Sequence, residues 1–148
     1  MKEVLRIYTD GACSGNPGAG GWAAVLIYGS VIKEISGYEA NTTNNRMELM
    51  GTIKGLQSIK KSCEIQIYSD SAYLVNAVNQ GWLDKWQKNG WQNSDKKQVK
   101  NLDLWVEICE LNRRFSPKYI KVKGHSDNEF NNRADELAVA AIKSNDVR

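Results

Sequence analysis

The chain has 148 residues, 41% of them apolar and 25% charged, with a formal net charge of only +3. That length suits one domain, residues 1–148, with a core of its own, and the composition is that of an ordinary globular protein rather than a disordered tail. No window approaches the roughly 18 consecutive apolar residues of a membrane span, and the small net charge does not by itself announce a nucleic-acid partner.

Cys13, Cys63 and Cys109 are odd in number and have no CxxC spacing. This argues against a disulfide framework or a zinc site and suits a reducing compartment. Arg6 interrupts the N-terminal apolar run, so no secretory leader and a cytoplasmic location are expected.

Residues 4–10 alternate as a strand does, with Leu5, Ile7 and Thr9 on one side. Residues 14–21 (SGNPGAGG) read as a turn or loop. Trp22–Tyr28 and Val31–Tyr38 are strand-like and are split by Gly29-Ser30, a two-residue hairpin signal. The first three strands therefore form an antiparallel meander. Thr42, Thr43, Asn44 and Asn45 supply helix-capping types, and Leu49, Met50, Ile53 and Leu56 follow at helical spacing up to Lys60. Gly51 and Gly55, four apart, each cost about 1 kcal/mol of helix propensity. Close packing of that face on the sheet is the expected compensation.

Residues 64–70 read as a strand that runs into a helix over about 71–79, ended by Gly81. Residues 82–98 suggest a short helix and a loop. Lys85, Lys88, Lys96, Lys97 and Lys100 outnumber Asp84 and Asp95 there, a local positive segment fit to meet phosphates. Val99, Leu102, Trp105, Val106 and Cys109 form an amphipathic stripe. A last strand around Tyr119, Ile120 and Val122 precedes a terminal helix marked by Ala134, Leu137, Ala138, Ala141 and Ile142. The order βββαβα, further helices, then βα predicts an α/β fold: a mixed sheet with helices against its faces.

Four acids occupy positions that a core would not choose. Asp10 ends the first strand, Asp70 ends the fourth, Glu48 sits beside the apolar stripe of the first helix, and Asp135 lies near the start of the last. Ligands gather at the carboxyl ends of parallel strands, so neighbouring first and fourth strands would bring Asp10 and Asp70 together. Clustered carboxylates repel and rise in pKa unless compensated, and a hard divalent cation with oxygen ligands compensates them. Read singly, each acid suits a solvated surface or a helix cap equally well, Asp135 especially, through the helix dipole.

Together these residues form a pattern. Tyr8-Thr9-Asp10-Gly11-Ala12-Cys13 with Asn16-Pro17-Gly18 resembles the first motif of bacterial type 1 ribonuclease H. Thr42 to Leu49 (TTNNRMEL) resembles its second motif, and Tyr68-Ser69-Asp70-Ser71 its third. Val122-Lys123-Gly124-His125-Ser126, followed by Asn131, Arg133, Ala134, Asp135, Glu136 and Leu137, resembles its last. The resemblance covers nearly the whole chain. It implies a ribonuclease H-like fold whose five-stranded mixed sheet is antiparallel over its first three strands and then parallel, with helices on both faces.

The resemblance also implies a function: an endonuclease that hydrolyses the RNA strand of RNA–DNA hybrids with two metal ions, leaving 5′-phosphate and 3′-hydroxyl ends. Asp10, Glu48, Asp70 and Asp135 would bind two Mg²⁺, with Mn²⁺ a substitute, and His125 would assist water attack or product release. Asn16, Asn44 and Asn45 match residues that contact base edges and 2′-hydroxyls, and Thr43 and Asn101 match a pocket for a DNA-strand phosphate. Cys13 and Ser71 fall within the matched motifs as further substrate contacts. Residues 81–100 match a basic handle in which Trp86 would meet a sugar, although Trp82, Trp86 and Trp91 also suit simple packing. Ile27, Ala72 and Asp127 depart from residues found in some relatives. A monomer is expected. The alternatives are a hybrid-binding module without catalysis and a DNA-acting nuclease of the same fold.

Overall fold

A computed structural model describes residues 3–123 and 128–145. The elements, in chain order, are β1 (Val4–Gly15), β2 (Gly18–Tyr28), β3 (Val31–Thr42), α1 (Asn44–Gln57), β4 (Glu64–Ser69), α2 (Ala72–Asn79), α3 (Trp82–Lys88), α4 (Leu102–Phe115), β5 (Lys118–Lys121) and α5 (Glu129–Asn145). One five-stranded sheet has the order β3-β2-β1-β4-β5. The β1–β2 and β2–β3 pairings are antiparallel, and the β1–β4 and β4–β5 pairings are parallel. This is the expected mixed α/β sheet. Among the described residues, no helix is long and apolar enough to cross a membrane.

Period-two alternation gives the sheet two buried faces. Leu5, Ile7, Ala24, Leu26, Ile65 and Ile67 face the large core formed with α1, α2 and α4, at whose centre Trp105 is fully buried. Tyr8, Val25 and Ile27 face the opposite way, where Ala134 of α5 covers them. The expected close approach of α1 is present. A Cβ on Gly51 would meet the carbonyl oxygens of Ala23 at 2.9 Å and Asp10 at 3.1 Å, and one on Gly55 would meet Ile7 Cγ2 at 3.1 Å.

Five boundaries differ from the sequence reading. β1 runs on past Asp10 to Gly15, because β2 begins at Gly18 and pairs with it throughout. The glycine-rich run expected as a loop is therefore mostly strand. β3 likewise extends to Thr42. α1 ends at Gln57 rather than near Lys60, and Val99 lies ahead of α4 rather than on it. α5 begins at Glu129, so Asp135 sits in its second turn and not at its start.

Candidate active site

Asp10 lies where β1 outruns its parallel partner. The β1–β4 pairing stops at Tyr8↔Tyr68, while the antiparallel pairing with β2 carries on through Asp10↔Ala23. Asp70 follows β4 directly, and Ser71 then caps α2 by accepting from the Leu74 N–H at 3.2 Å. Thr43 caps α1 by accepting from the Arg46 N–H at 3.2 Å, which sets Glu48 within the second turn. Gly11 makes the junction possible. A Cβ there would collide with the backbone of Met47 and Glu48, so only glycine lets α1 lie this close to β1.

The result is a cleft of about 400 Å³ whose walls include Asp10, Glu48, Asp70 and Asp135. The structure thus brings together all four acids singled out in the sequence. Asp10, Glu48 and Asp70 each offer a carboxylate oxygen, and those atoms all lie within 4.8 Å of one another. Asp10 is 4% exposed and Glu48 5%. Asp70 is half-buried, and Asp135 is exposed at the rim.

The electrostatics follow from that crowding. Burial, the Asp70 charge and the side-chain hydrogen bond to Asp135 together push the Asp10 carboxyl up to about 8. Burial holds Glu48 well above the ordinary range as well, with the Asp10 and Asp70 charges adding to it. The Gly11 N–H donates to Glu48 and opposes this rise. The second oxygen, Glu48 Oε2, is buried without a hydrogen-bond partner among the described residues. Buried polar groups normally find partners, and the Glu48 carboxylate sits among other carboxylates. A hard divalent cation satisfies such an all-oxygen donor set, and its charge offsets the repulsion.

The polar residues named from the sequence are distributed around this centre. Asn44, Asn45 and Ser71 line the cleft. Asn16 reaches it through the Asn44 N–H, which donates to Asn16 Oδ1 at 3.1 Å. Cys13 points back into the β1–β2 hairpin, its thiol donating to the carbonyl oxygens of Thr42 at 3.4 Å and Gly18 at 3.6 Å. Asn101 stands apart, in a network that composition did not foretell. Arg46 Nη1 donates to Asn101 Oδ1 at 3.3 Å, and Asn101 Nδ2 donates to the Tyr73 hydroxyl at 3.0 Å. Asp103 holds Arg46 through two hydrogen bonds, of 3.0 and 2.7 Å. The network ties the start of α1 to the starts of α2 and α4.

Trp86 and Trp91 pack against the large core, Trp86 with its ring edge-on to Trp105 at 5.7 Å, whereas Trp82 is exposed. Lys85, Lys88, Lys96, Lys97 and Lys100 are all exposed. Ile27 is buried under α5, and Ala72 lines the cleft. His125 and Asp127 lie outside the described residues. Asn131 is among the cleft residues that received no role from the sequence. It is 3% exposed in the cleft wall, and its four-residue spacing from Asp135 was the available signal, since i and i+4 share a helix face.

Comparison with known proteins agrees with this geometry. The RNase H family profile matches residues 2–143. A protein named Ribonuclease H from Caldanaerobacter subterraneus subsp. tengcongensis is 61% identical over 142 residues, covering 96% of this chain and 93% of that protein. The crystal structure of LC9-RNase H1, described as a type 1 RNase H with the type 2 active-site motif, superposes with a TM-score of 0.85 at 26% identity, covering 97% of this chain and 74% of that one. LC11-RNase H1, solved in complex with an RNA/DNA hybrid, shares the fold at a TM-score of 0.72 and 23% identity, covering 95% and 97% of the two chains. With its profile matched almost end to end, a relative 61% identical over nearly the whole chain and its acids converged on one cleft, the chain belongs to the RNase H family.

Proposed function

We propose that this RNase H cuts the RNA strand of RNA–DNA hybrids at the acidic cleft with two divalent cations, leaving 5′-phosphate and 3′-hydroxyl ends. Asp10, Glu48, Asp70 and Asp135 would hold the cations, Mg²⁺ in the cell with Mn²⁺ able to replace it. The observation that carries this reading is the buried, unpartnered oxygen of Glu48 beside an Asp10 carboxyl pushed up to about 8. Two cations bound there supply activation of a water and charge stabilisation at the leaving 3′ oxygen.

The chain's own residues do the positioning. The Gly11 N–H fixes the Glu48 carboxylate, and the Ser71 cap starts α2 directly after Asp70. Asn44 and Asn45 present amides at the cleft, a chemistry suited to base edges and the 2′-hydroxyl that distinguishes RNA from DNA. Asn16 braces Asn44, and Cys13 braces the hairpin beneath it. Thr43 and Asn101, at the starts of α1 and α4, would take a DNA-strand phosphate. Residues 81–100 would act as a basic handle, with Trp86 beside a sugar and the exposed lysines on phosphates. His125 would move a proton during water attack or aid product release. Residues 1–148 would act as one domain and as a monomer. Three free cysteines suit the cytoplasm.

The test is to offer end-labelled RNA as single strand, as RNA duplex and as hybrid, with and without Mg²⁺, beside duplex DNA. Cutting of the hybrid alone, and only with Mg²⁺, is expected. Cutting of plain duplex DNA would favour a DNA-acting nuclease. Tight hybrid binding with no Mg²⁺-dependent cutting would favour a binding module.

A further inference from the structure

We infer that Asn131 is a fifth side chain of the reaction centre, its amide oxygen accepting a hydrogen bond from the water that attacks the scissile phosphate. This rests on the hydrolytic reading above and deepens it. Asn131 is 3% exposed, yet its Oδ1 has no hydrogen-bond partner among the described residues. Leaving a buried acceptor unmade costs stability, and an apolar side chain of the same size would avoid the cost. The backbone around it is firmly held, because the Asn131 N–H donates to Asn128 Oδ1 at 3.1 Å. The unpartnered oxygen is therefore not the product of a loose turn.

The surroundings say what the oxygen lacks. Asn131 lines the same cleft as Asp10, Glu48 and Asp135, and it lies one helical turn before Asp135 on α5. No group among the described residues donates to Asn131 Oδ1, and a water can supply the missing hydrogen. Glu48 Oε2 is a second buried acceptor without a partner in that cleft. A buried water needs two to four polar partners, and it brings two hydrogens that such acceptors can take. A water held by its hydrogens presents its lone pair outward, toward a phosphate laid across the cleft. Its oxygen bonds to phosphorus as the bond from phosphorus to the 3′ oxygen breaks. The hydroxyl stays on the new 5′-phosphate, and a proton ends on the 3′ oxygen. The amide takes no proton; it fixes direction. Its loss should therefore reduce turnover rather than hybrid affinity.

Asn131→Leu keeps the volume and removes the acceptor. We expect hybrid affinity without divalent cations within twofold of the wild type, kcat at least tenfold lower and KM unchanged. Melting of the cation-free protein should rise by about 3 °C, because the unpaired oxygen is gone. Asn131→Asp, which keeps an oxygen acceptor, should recover part of kcat. Should the leucine variant not fold, Asn131→Ser takes the same kinetic measurements. A leucine variant with kcat within twofold of the wild type overturns the inference. So does a lowered melting temperature, which would make the amide a structural contact. A wild-type protein that cuts no hybrid with Mg²⁺ defeats the hydrolytic reading itself, an outcome distinct from either of these.

Discussion

Asp10 concentrates the tension in this molecule. Its carboxyl is pushed up to about 8 by burial, the Asp70 charge and its bond with Asp135. A group whose folded value exceeds its unfolded one stabilises the fold below the unfolded value and loses that contribution as pH rises through the folded one. The cation-free protein should therefore melt at progressively lower temperature between about pH 4 and about pH 8. Mg²⁺ should reverse the loss at pH 8, adding about 2.7 kcal/mol at a hundred times its dissociation constant. Thermal scans across pH, with Mg²⁺ and with chelator, measure both effects, and a flat cation-free profile would contradict them. Asp10→Asn removes one of the repelling charges. It should raise the cation-free melting temperature at pH 8 while reducing hybrid cleavage by about a thousandfold or more. A variant that still cuts at near-normal rate would remove the cation reading.

Among the elements, α1 carries the most constraint. Helix propensity alone says that Gly51→Ala gains about 1 kcal/mol. The added methyl would meet Ala23 O and Asp10 O, so we expect a net loss of about 1–3 kcal/mol and a fall in activity as Asp10 is displaced. Gly55 faces the side chains of Ile7 and Ala24, which can adjust, and its alanine variant should lose less. Urea melts of the two variants check the ranking. At the other end of α1, Asp103→Ala should release Arg46 and with it Asn101. Hybrid affinity should weaken several-fold, while stability changes by less than about 1 kcal/mol, because Asp103 is largely exposed.

The close packing of α1 was legible in the sequence, since two glycines at helical spacing make no sense without a near neighbour. The antiparallel meander of the first three strands followed from period-two alternation and the Gly29-Ser30 hairpin, whereas the parallel pairing of β1 with β4 has no local signal. The length of β1 was not legible, because Gly15 to Gly21 reads as loop until its partner is known, and pairing is a long-range property. Asp10, Glu48, Asp70 and Asp135 could be named from their motifs. The Arg46–Asn101–Tyr73 network could not, because its members lie on three helices and no local pattern joins them.

On the scale of the whole molecule, charge is arranged rather than accumulated. The exposed lysines of residues 81–100 lie outside the acidic cleft, so a hybrid can be held by phosphate contacts there without adding positive charge at the carboxylates. Binding should weaken with salt, and each lysine that contacts a DNA phosphate should add about 0.9 to the slope. Replacing Lys85 and Lys88 with alanine should lower that slope and raise KM with little change in kcat. Anisotropy titrations at several salt concentrations read the slope directly. The two halves of the core are also unequal. Glu48 is carried by α1, which packs on the side of the sheet that contains Trp105, whereas Asp135 rides on α5 over the small cluster of Tyr8, Val25, Ile27 and Ala134. Amide exchange should be faster along α5 than along α1. The enzyme should thus fall silent through a local opening that carries Asp135 away from the other three acids, long before the chain as a whole denatures.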